Sequence, residues 1–169
     1  MKSEKVNPMR KIKIEKVVLS VGGIGEDLEK GAKLLEFLTG RKPAKIKSKK
    51  RIPAWNVRPR VEVGAVVTIR KNPEEVLKKM LSSCNNLLKR KQVSENTFSF
   101  GVKEYIEIPG VEYQRDIGIR GLDVTVVFKR SGRRVRLKKI KRGKIPSKQK
   151  IAPEEIIKFM EEKFNTKFV

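Results

Sequence analysis

Residues 61–77 read VEVGAVVTIRKNPEEVL, and this stretch decides the fold class. Val61, Val63, Ala65, Val67 and Ile69 fall on one side of an extended chain, while Glu62, Gly64, Val66, Thr68 and Arg70 fall on the other. The alternation stops at Asn72-Pro73-Glu74-Glu75, which carries an N-cap side chain, a proline suited to the first helical position and two carboxylates in the positive first turn. A half-buried strand therefore runs straight into an amphipathic helix, whose buried stripe is Leu77, Met80 or Leu81, Cys84 and Leu88.

The same grammar extends in both directions. Ile12 to Val21 reads as a strand with a phase change near Glu15–Val17, the mark of a bulge. A glycine turn at Gly22-Gly23-Ile24-Gly25 follows, then a helix through Leu28, Ala32, Leu35 and Leu38, capped at Gly40. Pro43 to Lys47 is a short strand. Downstream, Phe98, Phe100, Val102, Ile106 and Ile108 predict one long strand closed by Pro109-Gly110. Leu122, Val124, Val126 and Phe128 give another, and Ala152-Pro153-Glu154-Glu155 opens a last helix with Ile156, Ile157, Met160 and Phe164 inward. Strands with one buried side, interleaved with helices, give an α+β fold in two layers: an antiparallel sheet, helices packed on one face, the other face open. At 169 residues the chain suits a single domain, 1–169, interrupted by two basic segments.

Those segments hold nearly all of the net charge of +23. Between Arg41 and Arg60 lie nine basic residues and no acidic one; between Lys129 and Lys150 lie twelve, again unopposed. One such block reads equally as a solvated loop, but two inside a well-patterned chain point to a phosphate surface that neutralises them. Other classes fall away. There is no apolar run long enough to span a bilayer, and Met1 to Lys13 lacks the apolar centre of a secretory signal, so the expectation is a soluble intracellular protein with no membrane partner. With no histidine and one cysteine, Cys84, neither a zinc cluster nor a Ser-His or Cys-His nucleophile can form, and no metal or cofactor is expected. Gly22, Gly23 and Gly25 do not match nucleotide-loop spacing and read as a tight turn. Trp55, inside the first block, reads either as a stacking platform for a base or as an anchor holding its loop to the domain. Thr68 and Arg70 set a hydroxyl and a cation side by side on the wet face of their strand. These residues alone leave RNA and DNA undecided.

Several ordered motifs carry a family resemblance: Asn7-Pro-Met-Arg10, Lys16-Val-Val-Leu-Ser-Val-Gly22, Leu38-Thr-Gly-Arg-Lys-Pro43, Val66-Val-Thr-Ile-Arg70, Phe98-Ser-Phe-Gly-Val-Lys-Glu-Tyr-Ile106, Ile108-Pro-Gly-Val-Glu-Tyr113, and the stretch from Asp116 to Val126. In this order, from about Asn7 to Phe164, the chain resembles the large-subunit ribosomal protein L5 family in its archaeal form. The resemblance implies a non-catalytic component of the central protuberance that binds 5S rRNA and helps attach it to the large subunit. It further implies 23S rRNA, neighbouring central-protuberance proteins, peptidyl-site tRNA and the small-subunit head protein numbered thirteen as partners, and the ribosome of the cytoplasm as location. In this family the 5S contact uses the open sheet face and nearby loops, which here maps onto Ser20, Gly22, Arg41, Lys42, Lys47, Thr68 and Arg70. Ser20 replaces the usual asparagine before the glycine turn and Arg41 the usual glutamine, the latter exchanging an amide for a charge-assisted phosphate contact. The loop carrying Lys49, Lys50, Arg51, Trp55, Arg58 and Arg60 corresponds to the one that reaches tRNA, and Trp55 stands where the family commonly has phenylalanine. Arg133, Arg134, Arg136, Lys138, Lys139, Lys141, Arg142 and Lys144 form a basic extension that lacks the histidine often found there. The rival readings are an RNA-processing enzyme, which needs converging carboxylates or a metal site, and a chromatin or membrane-surface protein bound by net charge alone.

Overall fold

The structure, a computed structural model, describes residues 7–169. Of the basic N-terminal stretch Met1 to Lys13, the part up to Val6 lies outside the described residues. The chain runs through β1 (Lys13–Gly22), α1 (Glu26–Thr39), β2 (Ala44–Lys47), β3 (Glu62–Ile69), α2 (Pro73–Ser83), β4 (Leu87–Leu88), β5 (Val93–Ser94), β6 (Thr97–Val102), β7 (Leu122–Lys129), α3 (Arg134–Leu137), α4 (Pro153–Phe164) and β8 (Lys167–Phe168). Six strands form one sheet in the order β2-β3-β1-β7-β6-β5, with every neighbouring pair antiparallel. A separate parallel pair joins β4 to β8 and ties the C-terminus to the segment after α2.

Period-two alternation explains the layering. Val17, Leu19 and Val21 of β1 stand in register with Ile69, Val67 and Ala65 of β3, and Val17 and Leu19 also with Val126 and Val124 of β7; all are buried. Phe98, Phe100 and Val102 extend this apolar face across β6. Onto it pack Leu28, Leu34 and Leu35 of α1, Leu77, Met80 and Leu81 of α2, and Ile156, Met160 and Phe164 of α4, all in one buried cluster. α1 approaches β1 closely at Gly31, where a Cβ would fall 2.6 Å from a Val21 methyl carbon, so only glycine lets the helix lie this near the strand. The phase change in β1 is a bulge: pairing with β7 shifts between Ile14 and Lys16, and the Glu15 side chain turns to accept a hydrogen bond from Arg133.

Three expectations are corrected. The helix from Asn72 does not reach Leu88; it ends at Ser83, because Asn85 and Asn86 take the left-handed conformation that asparagine tolerates, and Leu88 enters the core from β4 instead. Asn72 is itself left-handed (φ 49°) and gives no side-chain cap, so the start of α2 rests on Pro73 and on Glu74, which accepts from Lys163 of α4. The predicted long strand stops at Val102. A short 3-10 turn, Tyr105–Glu107, then buries Tyr105 and Ile108 and leaves Ile106 in solvent. The Tyr105 hydroxyl accepts the Gln114 amide N–H at 2.9 Å, which holds this turn to the loop before β7. Cys84 is half-buried at the end of α2, and desolvation pushes its thiol above the ordinary cysteine range, which fits its core-facing assignment.

At the entrance to β7, a Cβ on Gly121 would lie 2.7 and 2.8 Å from the backbone oxygens of Lys103 and Val102. Gly121→Ala should therefore lower unfolding stability by about 1–3 kcal/mol in urea titrations. Gly22→Ala, where nothing lies within 4 Å of the added carbon, should change it by less than about 0.5 kcal/mol.

Candidate nucleic-acid interface

With the helices gathered on one side, the other face of the sheet is left open, and the strand register specifies what it presents. Across one row stand Ala44, Val66, Ser20, Asp123 and Gly101; across the next, Thr68, Val18, Thr125 and Ser99. A third row holds Ile46, Gly64 and Gly22. The side chains are small, and four of them are hydroxyls. The hydroxyls of Thr39, Ser48, Ser82 and Ser83 are each spent on a backbone carbonyl. Among the described residues, those of Ser20, Ser99, Thr68 and Thr125 have no such partner. A flat platform with free hydroxyls can approach a nucleic acid closely and bond to sugars or base edges, since both donate and accept.

Sequence reasoning found Ser20 and Thr68 on this platform but missed Ser99, Thr125 and Asp123. Their signal was present as the polar positions between Leu122, Val124 and Val126 and between Phe98 and Phe100. Asp123, directly opposite Ser20, is informative because a carboxylate repels phosphate; on a nucleic-acid face it can only accept from amino or hydroxyl groups. Ser20, Gly22, Asp123, Lys103 and Arg120 border a shallow depression of about 470 Å³ at that edge. Arg120 is fixed there by its ion pair with Asp27 of α1.

The cations lie at the two ends of this platform. Gly40, left-handed at φ 62°, turns the chain out of α1, and the Arg41 guanidinium donates to the Thr68 carbonyl at 3.5 Å. Arg41, Thr68 and the exposed Arg70 therefore cluster at the C-terminal end of β3, with Lys42 exposed beside Arg41 in the chain. Gly22 lies toward the other end of the strands, and Lys47, set opposite Glu62 by a bulge, lies there too. From Thr68 to Gly64 the platform spans about 13 Å at the usual strand rise. The predicted 5S set is thus spread along a single face rather than collected at one point.

Beyond Lys47 the first basic block is an ordered hairpin. Ser48 and Arg60 bracket its base, the Arg60 N–H donating to the Ser48 carbonyl at 2.8 Å, and Ile52 and Val57 exchange backbone bonds of 3.0 and 3.1 Å. Its tip is the 3-10 turn Pro53–Trp55, closed by left-handed Asn56. Trp55 is 71% exposed and Val57 only 3%, so Val57 is the covered side chain of the hairpin and the tryptophan is the presented group. The structure brings Lys49, Lys50, Arg51, Arg58 and Arg60 onto this one hairpin, all exposed. Because β1 pairs antiparallel with both neighbours, the second basic block, leaving β7 at Lys129, emerges at the opposite end of the sheet. Among the described residues no group of His, Cys, Asp and Glu could hold a metal ion, and no helix is long and apolar enough to cross a membrane.

Comparison with known proteins assigns this architecture. Residues 7–58 match the family model of ribosomal protein L5, and residues 62–159 match a model of the C-terminus of the same ribosomal family. The chain belongs to the ribosomal protein L5 family. It is 41% identical to the large ribosomal subunit protein uL5 of Nanoarchaeum equitans, over 96% of this chain and 99% of that protein. It is 40% identical to uL5 of Methanococcus maripaludis strain C7, over 96% of this chain and 93% of the relative. Against uL5 of Methanobrevibacter smithii the identity is 36%, over 97% and 99%. These relatives are archaeal, as the sequence motifs implied. It is accordingly a large-subunit ribosomal protein, a structural component and not an enzyme.

An exposed tip tryptophan on an ordered hairpin has a direct readout. Trp55→Ala should leave the unfolding free energy within about 0.5 kcal/mol of the parent, whereas Val57→Ala should speed limited proteolysis between Lys49 and Arg60. Indole emission should match a solvated side chain and be quenched fully by acrylamide.

Proposed function

We propose that this chain binds 5S rRNA through the open sheet face, and that its 48–61 hairpin meets peptidyl-site tRNA. The observation that carries the first part is the platform of unpartnered hydroxyls around Asp123, with the cations toward its ends. Ser20, Thr68, Thr125 and Asp123 would read sugar hydroxyls and base edges. Arg41, Lys42, Arg70 and, across the face, Gly22 and Lys47 would hold the backbone. The serine at position 20 supplies both donor and acceptor beside Asp123, and Arg41, already directed at the β3 end, takes a phosphate there.

Support for the tRNA contact is the presented Trp55 on a hairpin that also carries exposed Lys49, Lys50, Arg51, Arg58 and Arg60, a stacking plane on a positive loop. The place of the family in the central protuberance extends the partners to 23S rRNA, neighbouring protuberance proteins and the small-subunit head protein numbered thirteen. The buried cluster runs from Val17 to Phe164 across both family-model segments, which favours one domain over residues 1–169.

Filter binding to isolated 5S RNA tests the sheet assignment. Thr68→Ala with Arg70→Gln removes one hydroxyl bond and one charged contact and should cost about 2 kcal/mol, some thirtyfold. Lys158→Gln with Glu162→Gln, both exposed on α4, should leave the affinity within about twofold. Equal affinity of the parent for 5S RNA and duplex DNA would overturn the reading.

A further inference from the structure

The second basic block is a folded lobe, and it encloses a concavity of about 580 Å³ beyond the C-terminal end of β7. Arg130, Arg133, Arg136, Arg142, Lys144 and Lys150 line it, and no carboxylate does. Its ends are pinned to the body. Arg130 bonds Glu155 of α4 at 2.6 Å and the Lys148 carbonyl at 3.0 Å, Arg133 pairs with Glu15 in the β1 bulge, and Lys150 reaches Glu95 at 2.9 Å. Ile151 closes the lobe by entering the core, its N–H donating to the Asn96 side chain at 3.0 Å. Across the lobe the chain doubles back so tightly that a Cβ on Gly143 would lie 2.6 Å from a Val135 methyl carbon.

Two features distinguish this lobe from a solvated charge run. Three carboxylates engage Arg130, Arg133 and Lys150, while Arg136, Arg142 and Lys144 have no acidic partner among the described residues. Arg130 is also only 10% exposed, and its Nε–H is buried without a hydrogen-bond partner. A concave wall of uncompensated guanidinium groups focuses positive potential and matches the geometry of phosphate oxygens. Because the lobe is anchored at Arg130, Arg133 and Ile151, less backbone freedom is lost when a polyanion enters.

We propose that this concavity is a second RNA site, separate from the sheet face, that holds closely spaced phosphates of a sharply turned RNA backbone. Arg136, Arg142 and Lys144 make the contacts, over a floor formed by Arg130 and Phe128. Only the identity of the polyanion rests on the ribosomal reading; the phosphate chemistry stands on the concavity itself.

Calorimetric titration of the full chain with sodium tripolyphosphate tests the chemistry. One saturable site is expected, weakened about tenfold or more by Arg136→Gln with Arg142→Gln, and likewise by Lys144→Gln with Arg136→Gln. Lys78→Gln with Lys79→Gln, removing equal charge from exposed positions of α2, should change it by less than about twofold. Equal losses in all three variants, or no saturable binding, would overturn the site. Crosslinking of the chain to protein-free large-subunit rRNA tests the source: adducts at Lys144 or Lys150 that tripolyphosphate displaces are expected. Tripolyphosphate binding without such adducts would overturn the RNA assignment. Neither result depends on Thr68 or Arg70, so failure here is distinguishable from failure of the 5S reading.

Discussion

The structure depends on the double pairing of β1. Val17 and Leu19 each stand between a β3 and a β7 partner, fully buried beneath the helices, so the central strand cannot slip by one residue without moving its apolar set into water. That constraint places α1, α2 and α4 on one side of the sheet. It leaves Val18, Ser20 and their neighbours as the opposite, unburied set. The open face is thus a consequence of the packing face, since the same alternation produces both.

Cations are concentrated toward the ends of this face rather than across its middle. The first block is divided by the strand geometry: Arg41 and Lys42 lie at the C-terminal end of β3, while the hairpin from Ser48 to Val61 extends from its start. The second block folds at the β7 end, where Glu15, Glu95 and Glu155 hold it. Cations at the edges attract and orient a polyanion over a distance near the Debye length, with little preference among sequences. In the proposed reading, the middle of the face, with its hydroxyls and Asp123, is where one RNA is told from another. Separating the two roles in space is what that reading requires of a chain of charge +23.

Much of this was legible in the sequence because it follows from period and composition. The alternating runs in β1, β3 and β7, the bulge near Glu15, the cap at Gly40 and the proline-started helices all follow local rules that the tertiary structure keeps. Departures came where a local signal had two outcomes. Leu88 sits at helical spacing from Cys84, yet left-handed Asn85 and Asn86 break the helix first. Ile106 and Ile108 continue the strand period, but the buried Tyr105 turns the chain into a 3-10 segment. At the site, Thr68 and Ser20 could be read from single strands, whereas Asp123 facing Ser20 depends on the pairing of β1 with β7, a non-local fact. The concavity of the second block was hidden for the same reason, since its walls are set by Glu15, Asn96 and Glu155, distant in the chain.

Salt separates selection by the sheet face from attraction by the edge charge. Affinity for 5S RNA and for a random RNA duplex of equal length would be measured across rising potassium chloride. Both should weaken along log–log lines whose slopes reflect released counterions. If the account is right, the ratio of the two affinities holds or grows as salt rises, because uncharged contacts persist. A ratio that falls to one at high salt would contradict it.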